Sequence, residues 1–211
     1  MPVRKIPKNH LVVTGGFSSQ KSDRMIGFEG LLEKDYMLLL DFDPAVSDYE
    51  EQPIRIPVPK VPQGYVVDLK VNYHSQSTEL VEVKPQHYLD KHAQKYAPKF
   101  EAAHSYCAER GWRFVIQTEH DIRTPRLSNL KFLRRYRTVQ PEEHQREALL
   151  RCMTQSGGHS TSDELLDQLG RNKREDWLPV LWSMLLRGDL IADLDTLLPP
   201  NVPLRLPGRT S

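Results

Sequence analysis

Asp68, Glu82 and Lys84 stand in or beside two short apolar, β-branched runs, where an acid or a cation is out of place. The runs are Tyr65–Val71 (YVVDLKV) and Leu80–Val83 (LVEV), separated by a polar turn rich in Ser and His. That pattern reads as two adjacent strands joined by a hairpin. Side chains alternate between faces of an extended chain, so Glu82 and Lys84 point to one side while Val83 faces the core. When the strands pair, Asp68 lies beside Glu82, and two carboxylates and an ammonium converge at one end of a small sheet. Carboxylate oxygens are the ligands Mg²⁺ prefers. A nearby ammonium can orient or deprotonate an attacking water, or stabilise developing negative charge. This is the arrangement of a metal-dependent phosphodiesterase. Taken alone, Asp-x(n)-Glu-x-Lys is a loose pattern that also describes the exposed face of an edge strand.

The elements around the two runs decide what they can do. Phe28–Leu40 (FEGLLEKDYMLLL) reads as a strongly apolar helix with Glu29 and Glu33 one turn apart on a common flank. Glu33 follows two leucines at the edge of the apolar stripe, so a helix packed on the sheet aims it at Asp68 and Glu82. Glu29 is the competing candidate for that role. Tyr49–Val58 reads as a strand ending among prolines. Leu89–Arg110 reads as a helix interrupted or kinked near Pro98 and closed at Gly111. Trp112–Gln117 is a further buried strand, and a strand–helix–strand crossover makes it parallel to Leu80–Val83. The expected class is α/β: a mixed sheet with flanking helices.

These elements, in this order, resemble the restriction-endonuclease-like PD-(D/E)xK nuclease fold. Within it the sequence resembles the TnsA endonuclease subunits of heteromeric cut-and-paste transposons. The matching stretches are LLEKDYMLLLDFDPAVSDYEEQP, YVVDLKV, ELVEVKP, WRFVIQTEHDI and NLKFLRRYR, most of residues 28–137. The proline that commonly precedes the strand Asp is absent, Val67 standing there instead. The resemblance implies that Glu33, Asp68, Glu82 and Lys84 are catalytic. It further implies two Mg²⁺ ions (Mn²⁺ substituting) held by Glu33, Asp68, Glu82 and the Val83 carbonyl. It implies cleavage of the non-transferred strand, freeing the 5′ ends of the element, while a TnsB-type DDE transposase cuts and joins the 3′ ends. A TnsC-type AAA+ ATPase is the implied regulator, the partner DNA is the duplex at the transposon ends, and the subunit alone is nearly inactive. Two alternatives remain at this level: a stand-alone restriction- or repair-type nuclease, and a non-catalytic DNA-binding assembly factor. Whether target choice follows a sequence-specific protein or a CRISPR complex is open in the sequence.

The net charge is +1, so any surface for nucleic acid must be local. Met1–Arg24 is a basic, weakly structured arm in this reading. Arg123–Arg137 places Arg123, Arg126, Lys131, Arg134, Arg135 and Arg137 around Leu127, Leu130, Phe132, Leu133 and Tyr136. It reads as a helix packing on the nuclease domain, residues 25–138, with a basic face able to grip phosphates. Such contacts position DNA rather than read its sequence. Thr138–Glu142 reads as a linker to a second domain, residues 142–211. There, helices over Glu142–Met153, Thr161–Leu169 and Glu175–Arg187 precede possible short strands, a winged-helix-like pattern. In the third helix the stripe Trp177, Leu178, Leu181, Trp182 and Leu185 suits a core better than base stacking. Cys107 and Cys152 lack a metal-ligand spacing and read as reduced thiols. With no signal peptide or apolar run of membrane length, a cytoplasmic protein, nucleoid-associated when active, is expected, without a membrane partner.

Overall fold

The computed structural model describes residues 13–170 and 173–208. It divides into two compact units, Met1–Arg123 and Thr124–Ser211.

The first unit begins with β1 (Gly15–Ser18) and β2 (Met25–Phe28), an antiparallel pair. Part of the segment expected to be a weakly structured arm is therefore ordered. Phe17 is buried, Lys21 donates to the Asp43 and Val46 carbonyls, and Arg24 makes a two-pronged pair with Glu51 at 2.6 Å. The basic residues Arg4, Lys5 and Lys8 lie outside the described residues. Helix α1 (Leu31–Phe42) starts three residues later than its apolar pattern suggested, because Phe28 closes β2 and Gly30 takes the N-cap.

The expected Tyr49–Val58 strand is two strands, β3 (Val46–Glu51) and β4 (Arg55–Val58), separated by a turn at Gln52. The expected Tyr65–Val71 strand is likewise two, β5 (Val61–Val66) and β6 (Leu69–Tyr73). The breaks share a cause: among the described residues β4 and β5 pair only with each other, whereas β3 and β6 belong to the main sheet. A chain that changes sheets must bend, and Val67–Asp68 is that bend. Strand β7 (Glu79–Val83) follows, antiparallel to β6 with Leu69 opposite Val81.

Two helices, α2 (Gln86–Lys91) and α3 (Ala93–Ala108), carry the chain to β8 (Arg113–Gln117), which runs parallel to β7. The predicted crossover is thus present, but its interruption falls at His92 rather than at Pro98. Pro98 rides on the exposed side of α3, where the helix passes through it. The main sheet has the order β3-β6-β7-β8. Helix α3 packs on β4, β7 and β8, with Ala103 and Cys107 against Leu80 and Phe114. Helix α1 packs on β2, β3 and β7. Every residue of β7 is buried, its two glutamates included. The short α4 (Glu119–Ile122) ends the unit, held by a capping box between Thr118 and Asp121.

In the second unit, α5 (Pro125–Leu133) leads to α6 (Glu143–Gln155), β9 (His159–Thr161), α7 (Ser162–Gly170), α8 (Arg174–Arg187) and β10 (Pro203–Arg205). The sequence-based boundary at 138–142 therefore moves to Arg123/Thr124. Leu133 enters the core formed by Leu149, Met153, Leu165, Leu181 and Trp182. Buried Asn129 pins the loop at Leu194, Thr196 and Leu198 with three hydrogen bonds. The expected linker is docked as well: Ser183 and Arg187 of α8 both donate to the Val139 carbonyl. The apolar stripe of α8 is core, as its composition suggested, with Leu181 and Leu185 buried and Trp177 and Leu178 packed at the edge. Strand β10 pairs antiparallel with β9, and Ile191 bridges to Arg205. Of the short strands expected after the third helix, the structure keeps that single bridge and Pro203–Arg205. Among the described residues no helix is long and apolar enough to cross a membrane.

Candidate active site

The sheet bend at Asp68 sets the geometry of the site. Val67 and Leu69 are both fully buried and anchor the bend on either side. The Asp68 carbonyl accepts the Gln52 backbone N–H at 2.8 Å. Its side chain then continues where the β6–β7 ladder stops: Oδ2 accepts the Val83 backbone N–H at 2.9 Å. The same oxygen stands 3.0 Å from Lys84 Nζ.

Lys84 collects the acids. Its ammonium lies 3.0 Å from Glu82 Oε1 as well, and donates at 3.3 Å to the Val83 carbonyl. All three of its donors are thereby used. Burial works against the charge on Lys84, but the Asp68 and Glu82 carboxylates outweigh it and lift the ammonium well above its ordinary pKa. In this arrangement Lys84 is a protonated donor, not a base.

Glu82 is 2% exposed, so the site is not the open face of an edge strand. The Tyr65 hydroxyl donates to its Oε2 at 2.6 Å. Burial, then the Asp68 charge, pushes the Glu82 carboxyl up to about 7. Glu33 occupies the first turn of α1, and its Oε2 accepts the Glu29 backbone N–H at 2.8 Å. Burial and the Asp68 charge push Glu33 up to about 8, with Lys84 pulling the other way. Glu33 thus senses both Asp68 and Lys84, while the Glu29 carboxylate accepts from Gln52 Nε2 at 3.0 Å. Three carboxyl groups crowd one ammonium, and two of them are driven toward neutrality. That excess of oxygen donors and negative charge is the environment a hard divalent cation relieves. As the side chains stand, no group of three His, Cys, Asp or Glu among the described residues is close enough to enclose an ion. The Lys84 ammonium supplies the positive charge instead.

Two open cavities share Glu29, Lys84, Tyr88 and Tyr96. The first, about 640 Å³, reaches Asp68, Glu82 and Tyr65 and is bordered by Arg55 and Lys99. The second, about 700 Å³, reaches Glu33, Val83 and Arg123. Lys99 lies over the rings of Tyr65 and Tyr96, 5.8 and 5.4 Å from their centroids. Arg55, Lys99, Tyr65 and Gln52 escaped the sequence reading. For Arg55, Lys99 and Tyr65 the signal is cationic and aromatic residues on elements flanking the acids; Gln52 has none in the sequence.

The cations expected to contact DNA divide between the two units. Arg123, in the first unit, stands 3.5 Å from Asp35. In the second unit Arg126 makes a two-pronged pair with Asp195 at 2.7 and 2.8 Å. Lys131 and Arg135 are exposed, and Arg134 and Arg137 are half-buried. Within the first unit, then, the structure gathers Glu33, Asp68, Glu82, Val83 and Lys84.

Residues 43–119 match the model of the TnsA-like endonuclease N-terminal domain, and residues 121–194 that of the TnsA endonuclease C-terminal domain. The chain belongs to the TnsA endonuclease family. The two matches meet beside the division between the compact units. Asp68, Glu82 and Lys84 fall inside the first match, while Glu33 precedes it and is tied to the site by geometry alone. No curated protein matches the chain. Membership makes it a transposon nuclease subunit of the kind that works with TnsB and TnsC partners.

Proposed function

We propose that this TnsA-type subunit cleaves the non-transferred strand at the transposon ends in a Mg²⁺-dependent reaction, freeing the 5′ ends. A DDE transposase of the TnsB type cuts and joins the 3′ ends, and a TnsC-type AAA+ ATPase licenses the assembly. The observation that carries this reading is the convergence of Asp68 and Glu82 on Lys84 Nζ, each at 3.0 Å, at the floor of an open cavity.

Glu33, Asp68, Glu82 and the Val83 carbonyl are the oxygen donors that suit Mg²⁺ or Mn²⁺. When bound, such ions lower the pKa of a water and stabilise the leaving oxygen. The residues of the chain do the rest. Lys84, charged and fixed by its carboxylates, stands beside the attacking water and balances the developing negative charge on the phosphorane. Tyr65 holds Glu82 in one rotamer. Lys99 and Arg55, at the cavity rim, draw in the phosphates that flank the cut. Arg123, Arg126, Lys131, Arg134, Arg135 and Arg137 add phosphate contacts beyond the site.

We read the second unit as winged-helix-like on its order of helix, strand, two helices and a closing pair of strand contacts. Because the apolar stripe of α8 is committed to the core, its exposed surface serves partner and backbone contacts rather than base stacking.

The test is transposition with the cognate partners, comparing wild type with Asp68→Ala and sequencing the products in long reads. Loss of second-strand cleavage converts simple insertions into cointegrates. Unchanged simple insertions from Asp68→Ala would remove Asp68 from the catalytic set.

A further inference from the structure

Gln52 is the turn residue between β3 and β4, and it stands in a conformation a glutamine rarely adopts. Its φ is +44°, in the left-handed region that disfavours side chains with a Cβ. It is nonetheless 5% exposed, and its buried Oε1 has no hydrogen-bond partner among the described residues. Strained backbone and an unpaired buried acceptor are each destabilising, and a protein keeps both at one residue when that residue does something else.

Both donors of Gln52 that the structure resolves go to the acid site. Its backbone N–H holds the Asp68 carbonyl at 2.8 Å, on the residue that bends between sheets. Its side-chain Nε2 holds Glu29 Oε1 at 3.0 Å, and the Glu29 backbone N–H in turn donates to Glu33 Oε2 at 2.8 Å. The amide orientation follows from chemistry, since the flipped form would set oxygen against carboxylate oxygen. One residue thus spans from the bend that carries Asp68 to the helix start that carries Glu33. These two acids lie far apart in sequence and on different elements, and their separation decides whether they can act on one reacting phosphate.

We propose that Gln52 is a positioning residue that sets the spacing between Asp68 and Glu33 for the cleavage reaction, and that its strain is retained for that purpose. The inference rests on the nuclease reading of the site. Glycine at this position relieves the backbone strain and removes the orphan acceptor, but it also cuts the link to Glu29. Asn tolerates the same φ yet is one methylene too short to keep that link.

The experiment compares wild type, Gln52→Gly and Gln52→Asn as full chains, measuring thermal melting and cleavage of end-bearing duplex DNA with the cognate partners. Asp68→Ala is the control. The expected result is a melting temperature for Gln52→Gly at or above wild type. Its kcat falls about tenfold or more with KM for DNA within twofold, as a misplaced reacting group produces, and Gln52→Asn shows the same split. A kcat within twofold of wild type in both variants overturns the proposal. So does a loss of activity that follows a matching fall in melting temperature, which marks a purely structural turn. If Asp68→Ala cleaves like wild type, the nuclease reading itself fails, a result separable from either.

Discussion

Lys84→Met tests whether the ammonium is what makes the crowded carboxylates tolerable. Methionine keeps most of the volume and removes the charge that stands 3.0 Å from both Asp68 and Glu82. Breaking a buried ion pair from one side costs about 3–5 kcal/mol, because the partner is left charged and unpaired. Asp68 and Lys84 side chains keep 15% and 22% of their exposure, which places the cost near the lower end. About 3 kcal/mol in a unit of this size corresponds to a fall of roughly 12 °C in melting temperature. The assay is thermal melting followed by circular dichroism in EDTA, then in Mg²⁺ or Mn²⁺. Divalent ions should restore several degrees by replacing the lost positive charge, and should stabilise the variant more than wild type. Asp68→Asn combined with Lys84→Met should recover part of the loss, since the amide oxygen still accepts the Val83 N–H and one buried charge is gone. A coupling of about 1–3 kcal/mol between the two positions is expected from the cycle. If Lys84→Met melts within 2 °C of wild type in EDTA, about the effect of an exposed ion pair, the electrostatic account of the site is wrong.

Three further outcomes follow from single contacts. Tyr65→Phe removes a 2.6 Å hydrogen bond to the buried Glu82 carboxylate and should cost about 1.5–3 kcal/mol in urea unfolding. An unchanged midpoint would mean that Glu82 finds another donor. Although burial pushes Glu51 up, the Arg24 and Gly27 hydrogen bonds and the Arg24 charge hold its carboxyl below the ordinary range. Its folded pKa is depressed, so the Arg24–Glu51 pair stabilises above the unfolded carboxylate pKa. That contribution is lost as pH falls through the depressed folded value. Stability measured from pH 7 down to acid should drop less steeply in Glu51→Gln than in wild type, and parallel slopes would refute the pairing. Lys99→Gln should weaken DNA binding alike for all sequences and reduce the salt slope by about 1, read by fluorescence anisotropy in Ca²⁺. An unchanged slope would take Lys99 off the phosphate path.

The acid-bearing strands were legible because strand chemistry is local. An acid in YVVDLKV and an acid and lysine in LVEVK break apolar runs that would otherwise be uniform, and the hairpin between them sets their register. The strand–helix–strand order gave the parallel partner strand, expected at Trp112–Gln117 and found at Arg113–Gln117. Periodicity could not show where a run changes partners, so Tyr65–Val71 read as one strand although residues 61–66 and 69–73 pair in different sheets. Nor could it separate Glu29 from Glu33, which share one flank of the same segment.

The residue types and their order in the chain therefore determined the chemistry on offer: two strand acids, a helix acid and a lysine around a mixed sheet. Tertiary structure alone decided which of them meet and at what cost. The left-handed turn at Gln52, the Tyr65 hydroxyl on Glu82 and the burial that drives Glu33 and Glu82 toward neutrality all join positions from separate elements. It also moved α5 into the second unit, because the side chains of Leu133 and Asn129 find their partners there. Local sequence carries the period of an element. The partners of a buried polar group are set by packing between elements, which no single stretch records.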